Sequence, residues 1–134
     1  MSLEIGTKAS IEYKVEDKDL AKNLQISAED NFPEVFATAR MVALMECSAA
    51  KMLLPFLEEG QLSVGVEVNI KHLAPTLSGD VAVSTATFEG MEGKLYKFSL
   101  EVVDSAGVVG TGTHTRAIVT EERLMSGANK RVGK

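Results

Sequence analysis

The sequence predicts an α+β domain in which an antiparallel sheet wraps around one long helix. Three observations carry this. One dense apolar block, residues 36–57 (FATARMVALMECSAAKMLLPFL), is rich in Ala, Met and Leu and contains no Gly. Runs that alternate apolar and polar residues precede it once and follow it about four times. The turn signals between the later runs have hairpin length, which makes the strands antiparallel, and a helix this apolar needs a sheet against it.

The first strand is read over residues 9–15, where Ala9, Ile11, Tyr13 and Val15 alternate with polar neighbours. Asn31-Phe32-Pro33-Glu34 then has the form of a helix start: a capping Asn, an early Pro and a Glu three residues on. The helix that follows would measure about 30 Å. Its ionisable residues are Arg40, Glu46 and Lys51. On the helical wheel Arg40 and Lys51 fall within about 20° of each other, and Glu46 stands about 120–140° away. The wheel neighbours of Glu46 are Val42, Ala43, Ala49, Ala50 and Leu53, all apolar. Arg40 and Lys51 are therefore expected to mark the solvent stripe, with Glu46 on the buried side and Cys47 as a small packing residue. Met41, Met45 and Met52 read as core filler.

After the helix, LSVGVEVNIKH alternates strictly, with Leu62, Val64, Val66, Val68 and Ile70 expected on one face and His72 in phase with them. The loop LAPTLSGD contains Pro75 and Gly79 as breakers. Two further strands are read in DVAVSTATFE and KLYKFSLEVVD, joined by a turn at Gly90-Met91-Glu92-Gly93. Asp104-Ser105-Ala106-Gly107 turns the chain into the last strand, VVGTGTHTRAIV. Residues 1–120 are thus read as one domain, and residues 121–134 as a polar, loosely ordered tail.

Composition narrows the function classes. A chain of 134 residues with 45% apolar residues suits one folded domain. Its net charge of −5 argues against nucleic acid as a partner. One cysteine and two histidines make a poor metal set, so neither an internal disulfide nor a metal is expected. Without a signal-peptide h-region or a membrane-spanning run, a soluble cytoplasmic protein is the expectation. The free edges of an antiparallel sheet invite pairing with a second copy.

GxGxxG, Walker A, HExxH, CxxC and GxSxG patterns are all absent. What remains is Glu46 and His72, two ionisable groups expected to face one interior. A buried carboxylate is costly unless partnered, and a carboxylate beside an imidazole suits acid–base or nucleophilic work. Against that stands a structural role, with Glu46 on a backbone amide or water and His72 merely ending a strand. Thr38 lies eight residues before Glu46, about 12 Å along a helix; a capping hydroxyl is its plainer reading. His114 and Arg116 share a strand face and read as an exposed pair.

The segments FPEVFATARMVALMECSAA, LSVGVEVNIKHLAPTLSGDVAVSTA and GTGTHTRAIV resemble the fluoroacetyl-CoA thioesterase family over roughly residues 32–120. The resemblance implies a hot-dog fold, acyl-CoA thioester hydrolysis with no cofactor, and a homodimer with sites at its interface. It places catalytic roles on Thr38 in VFAT, Glu46 in LMEC and His72 in KHLAPTLSG. It also places a carbonyl-binding backbone amide at Gly65 in SVG. Glu46 would then attack the thioester carbonyl or activate water, His72 would orient that water, and Thr38 and Gly65 would hold the oxyanion. Phe32 would line the acyl site. Arg116, Arg123, Lys130 and Arg131 are the cations available to the CoA phosphates. Where the fluoroacetyl enzyme has an aromatic, apolar lid, the stretch DLAKNLQISAEDNF is polar and offers only Phe32. The alternatives are a hot-dog enoyl- or hydroxyacyl-thioester hydratase, or an acyl-CoA-binding module without catalysis.

Overall fold

The computed structural model describes residues 2–134. Strand β1 (Lys8–Lys14) leads through two short 3-10 turns to helix α1 (Thr38–Leu53). There follow β2 (Gln61–His72), β3 (Val81–Glu92), β4 (Leu95–Asp104), β5 (Gly107–Thr120) and a terminal helix α2 (Glu121–Arg131). The strands form one antiparallel sheet in the order β1-β3-β4-β5-β2. The sheet curls around one side of α1. Met41, Leu44, Met45, Ala49, Met52 and Leu53 are buried there, at the three- and four-residue spacing of a single helical stripe. They pack on Ala82, Ala86, Phe88, Phe98, Leu100 and Val102 of the sheet. The expected α+β layering is thus present.

Several local expectations need correction. The helix begins at Thr38, not near Asn31, and its N-cap is Ala37 with no side-chain cap. Its entry is set by tertiary hydrogen bonds instead: Phe36 N–H donates to Thr76 O and Ala37 N–H to Asp19 O. Pro55 lies in a 3-10 turn (Leu54–Phe56) beyond the helix. The β3–β4 hairpin turns at Gly93-Lys94, because Glu92 pairs with Leu95; Gly93 has φ 63°, which suits a glycine. Gly90 lies inside β3, at a bulge.

The residues read as a loose tail form α2. Glu121 N–H is tied to Gly60 O. Acidic Glu121 and Glu122 stand in the first turn and basic Lys130 and Arg131 in the last, the arrangement that complements a helix dipole. All of α2 is solvent-accessible.

The bulge in β2 matters most for function. Gly65 pairs with Arg116 and Glu67 with Thr115, leaving Val66 extra. Directly opposed residues share a face, and one extra residue flips the alternation. Ser63 and Gly65 before the bulge therefore share the helix-facing side with Val68, Ile70 and His72 after it. Leu62 and Val64 fall on the other side, so the continuous apolar face expected from the sequence is split.

A single chain leaves two surfaces uncovered. β2 is an edge strand, with Val66 54% and Val68 36% exposed. Beside it the Val42, Ala43 and Ala50 face of α1 is only half-buried and Cys47 is exposed, not packed away. Lys51 is exposed and Arg40 partly so, as expected of the solvent stripe, and from there they reach Ser10 O and the Asp19 carboxylate. No helix among the described residues is long and apolar enough to cross a membrane.

Candidate active site

The ionisable residues of interest form two clusters in the chain. At the first, Thr38 opens α1 and His72 closes β2, and Thr38 Oγ1 stands 2.7 Å from His72 Nδ1. The hydroxyl that read as a helix cap is thus engaged by an imidazole. The chain after His72 is fixed by Leu73 and Ala74, whose N–H groups both donate to Val109 O. Burial pushes His72 below the ordinary imidazole value, with the backbone of Ala74 opposing; its ring is therefore neutral at neutral pH. Its Nε2 is buried without a hydrogen-bond partner.

Thr38 and His72 share the wall of a cavity of about 400 Å³ with Phe32, Val35, Phe36 and Leu73. Phe32 is 45% exposed at its rim. A larger cleft of about 750 Å³ lies between β1 and the opposite end of α1, lined in part by Leu3, Ala9, Met52 and Phe56. It contains none of Thr38, Glu46 or His72.

The second cluster is built on Glu46. Arg116 Nη1 donates to Glu46 Oε2 at 2.9 Å. The Arg116 guanidinium is further held by Ser63, through Nε to Oγ at 3.0 Å and Nη2 to the carbonyl at 2.9 Å. Gly65 faces this pair closely, since a Cβ there would stand 2.5 Å from Glu46 Oε2. A side chain at that position would have to displace the Glu46 carboxylate, so the constraint is contact and not backbone angle.

The expectation of an exposed His114–Arg116 pair fails: His114 is 1% and Arg116 6% exposed. The β2 edge strand and α1 cover them, which alternation within one strand does not reveal. Arg116 has four of its five N–H donors committed inside the protein, to Ser63, Glu46 and His114. It is therefore not a surface cation open to CoA phosphates, and it is bonded to Glu46 instead. Arg123, Lys130 and Arg131 lie on exposed α2. Glu46 and His72 form no hydrogen bond with each other among the described residues; each belongs to its own cluster. Their direct meeting within one chain is thus not realised, because Thr38 and Glu46 sit two turns apart on one helix, about 12 Å.

Comparison with known proteins identifies the family. Residues 15–122 match the family described as fluoroacetyl-CoA-specific thioesterase. The fluoroacetyl-CoA thioesterase of Streptantibioticus cattleyicolor is 30% identical over 91% of this chain and 89% of its own. A solved structure of the fluoroacetyl-CoA thioesterase FlK superposes with a TM-score of 0.92 at 30% identity, covering 97% of this chain and 98% of that one. A hot-dog-like protein from Thermanaerovibrio acidaminovorans superposes with a TM-score of 0.83 at 31% identity, covering 97% and 93%. With its helix wrapped by an antiparallel sheet and its match over most of its length, the chain belongs to the fluoroacetyl-CoA-specific thioesterase family, hot-dog-fold thioester hydrolases.

Proposed function

We propose that the protein hydrolyses short to medium acyl-CoA thioesters, with the acyl group in the Phe32-lined cavity and the carbonyl at Thr38 and His72. The observation that carries this reading is the 2.7 Å contact between Thr38 Oγ1 and His72 Nδ1 on the wall of that cavity. A thioester carbonyl is already electrophilic, so the site has to supply an oxygen nucleophile and donors for the developing oxyanion. The Thr38 hydroxyl and the Gly65 backbone N–H are the donors.

Glu46 reaches this centre from a second copy of the chain. β2 has a free edge, and its stretch 65–69 is exposed throughout. Antiparallel self-pairing about that stretch is the two-fold arrangement that closes such an edge. It lays the His72 end of one copy against the Ser63–Gly65 end of the other, where Arg116 holds Glu46. The half-covered helix faces meet at the same time. Glu46 then attacks the carbonyl carbon and expels the CoA thiolate, giving a mixed anhydride that water cleaves, or it takes a proton from the attacking water. Label in Glu46 after a single turnover in ¹⁸O-water, left when water attacks the Glu46 carbonyl of the anhydride, marks the anhydride route, since the general-base route puts the label in the product acid alone.

The lid is the point of difference from the fluoroacetyl enzyme. Residues 19–32 carry one aromatic, Phe32, which is half open to solvent, and Ile26 is 99% exposed. An enclosure selective for a very small fluorinated acyl group needs tighter apolar walls, so fluoroacetyl-CoA is not the preferred substrate.

The test is a panel of acyl-CoAs of increasing chain length, with fluoroacetyl-CoA included and released thiol measured. Turnover of acetyl- to hexanoyl-CoA supports the reading. Hydration of crotonyl-CoA without thiol release would assign a hydratase. Saturable binding with no turnover of any member would leave a binding module.

A further inference from the structure

We propose that His114 is a positioning residue that fixes Glu46 through Arg116, and that it does so only as the neutral imidazole. The proposal rests on the reading that Glu46 takes part in hydrolysis. His114 is 1% exposed, and a buried imidazole needs both ring nitrogens satisfied. Its Nδ1 stands 2.7 Å from Glu67 O. A carbonyl oxygen only accepts, so Nδ1 carries the proton. Nε2 of a neutral ring is then an acceptor, and Arg116 Nη1 donates to it at 3.2 Å.

The same Nη1 donates to Glu46 Oε2. A continuous chain of hydrogen bonds therefore runs from the β2 carbonyl at Glu67, through the imidazole and the guanidinium, to the carboxylate. Its anchor is the bulge in β2. Gly65, on the other side of that bulge, leaves the space that Glu46 occupies, and a Cβ there would also stand 3.3 Å from His114 Cε1. The Phe98 ring, with its centroid 6.1 Å from that of His114, backs the imidazole from β4. The charged groups facing His114 are Arg116 on its own strand and Glu46 on α1; from β2 it meets the Glu67 carbonyl.

Protonation would turn Nε2 into a donor aimed at another donor and set two cations side by side. The His114–Arg116 contact would open, and Glu46 would lose the orientation of its partner. Burial and the Arg116 charge favour the neutral ring, against the Glu67 carbonyl and the Glu46 charge, and His114 lies below the ordinary imidazole value.

The test uses the full-length protein with two variants and two readouts. His114→Leu removes the acceptor and is expected to lower kcat by about 10- to 100-fold with a smaller change in KM, the scale of a misplaced reacting group. His114→Gln restores a non-titrating acceptor for Arg116 and is expected to recover most of that loss. It should also remove the part of the acid limb of the kcat profile that belongs to His114. Independently of turnover, NMR of ¹³C,¹⁵N-labelled protein reads the His114 tautomer and the Glu46 side-chain carboxyl shift. Nδ1 protonation, and a Glu46 signal that follows the His114 titration in the parent but not in His114→Gln, support the proposal. An Nε2-protonated ring, or a Glu46 signal indifferent to His114, overturns it. Lack of turnover in the parent would count against the thioesterase reading alone, leaving the NMR result to decide the coupling.

Discussion

Thr38 Oγ1 lies 2.7 Å from His72 Nδ1 although the two residues are 34 positions apart in the chain. One begins the central helix and the other ends the edge strand. The contact exists because the helix start is pinned from outside, by Asp19 O on Ala37 N–H and Thr76 O on Phe36 N–H, and the strand end by Val109 O. A threonine at the first turn of a helix is ordinary; one facing an imidazole on a cavity wall is the reacting pair we propose.

Removing the hydroxyl tests that pair. Thr38→Val is expected to lower kcat by about 100-fold or more, the scale of a lost oxyanion or proton-transfer partner. Thr38→Ser should stay within a few-fold of the parent. Steady-state kinetics at saturating acyl-CoA, with thermal melts of both variants, check this. Equal and unimpaired rates would return Thr38 to a packing role.

Gly65→Ala tests the second cluster. The added methyl would stand 2.5 Å from Glu46 Oε2, so either the carboxylate moves or β2 does. A loss of about 10- to 100-fold in kcat is expected from a displacement on the ångström scale. The far-UV circular dichroism should not change. Activity at the parent level would show that the position of Glu46 is not critical.

Asp19 carries the helix start. Its buried carboxylate accepts from Arg40, Tyr13 and the Glu16 amide. Burial alone would raise its pKa, but these hydrogen bonds outweigh that and hold it below the ordinary 3.8. The stability it contributes is thus present above pH 3.8 and is lost as pH falls through the lower folded-state value. Asp19→Asn is expected to cost about 2–3 kcal/mol in urea unfolding at pH 7, the buried-pair figure reduced for the partly exposed Arg40. It should also flatten the stability profile below pH 4.

Both histidines are held below the ordinary 6.5 by burial. The unfolded chain then binds protons that the folded one does not, so stability rises with pH through this range. It is complete above about pH 6.5 and declines as pH falls toward the folded-state values. Melting temperatures measured from pH 7.5 to 5 should fall in the parent and fall less in His114→Gln. An upward trend toward pH 5 would contradict the burial of these rings.

The layered fold was legible because alternation and helical spacing survive in the sequence. LSVGVEVNIKH is indeed β2, and the Met- and Ala-rich block is indeed the helix. Thr38, Glu46, His72 and Gly65 could be singled out by chemistry and resemblance. Three features could not be read. The helix entry depends on acceptors contributed by distant loops, which leave no capping signature. The bulge at Gly65–Glu67 inverts the face of half a strand, which strict alternation conceals. The burial of His114 and Arg116 follows from covering by β2 and α1, not from their own strand. The only hint available was that His114-Thr115-Arg116 sets an imidazole and a guanidinium on one face of a strand otherwise rich in Gly, Val and Thr.

The separation of the two clusters in one chain leaves one decisive measurement. Chains carrying Glu46→Gln and chains carrying His72→Ala are purified separately, each inactive, then mixed, unfolded and refolded together. In a two-fold dimer whose sites each draw Glu46 from one copy and His72 from the other, half of the dimers are mixed and each has one intact site. Activity should therefore return to about a quarter of the parent level. If the mixture forms mixed dimers by native mass spectrometry and stays inactive, the site does not span two chains.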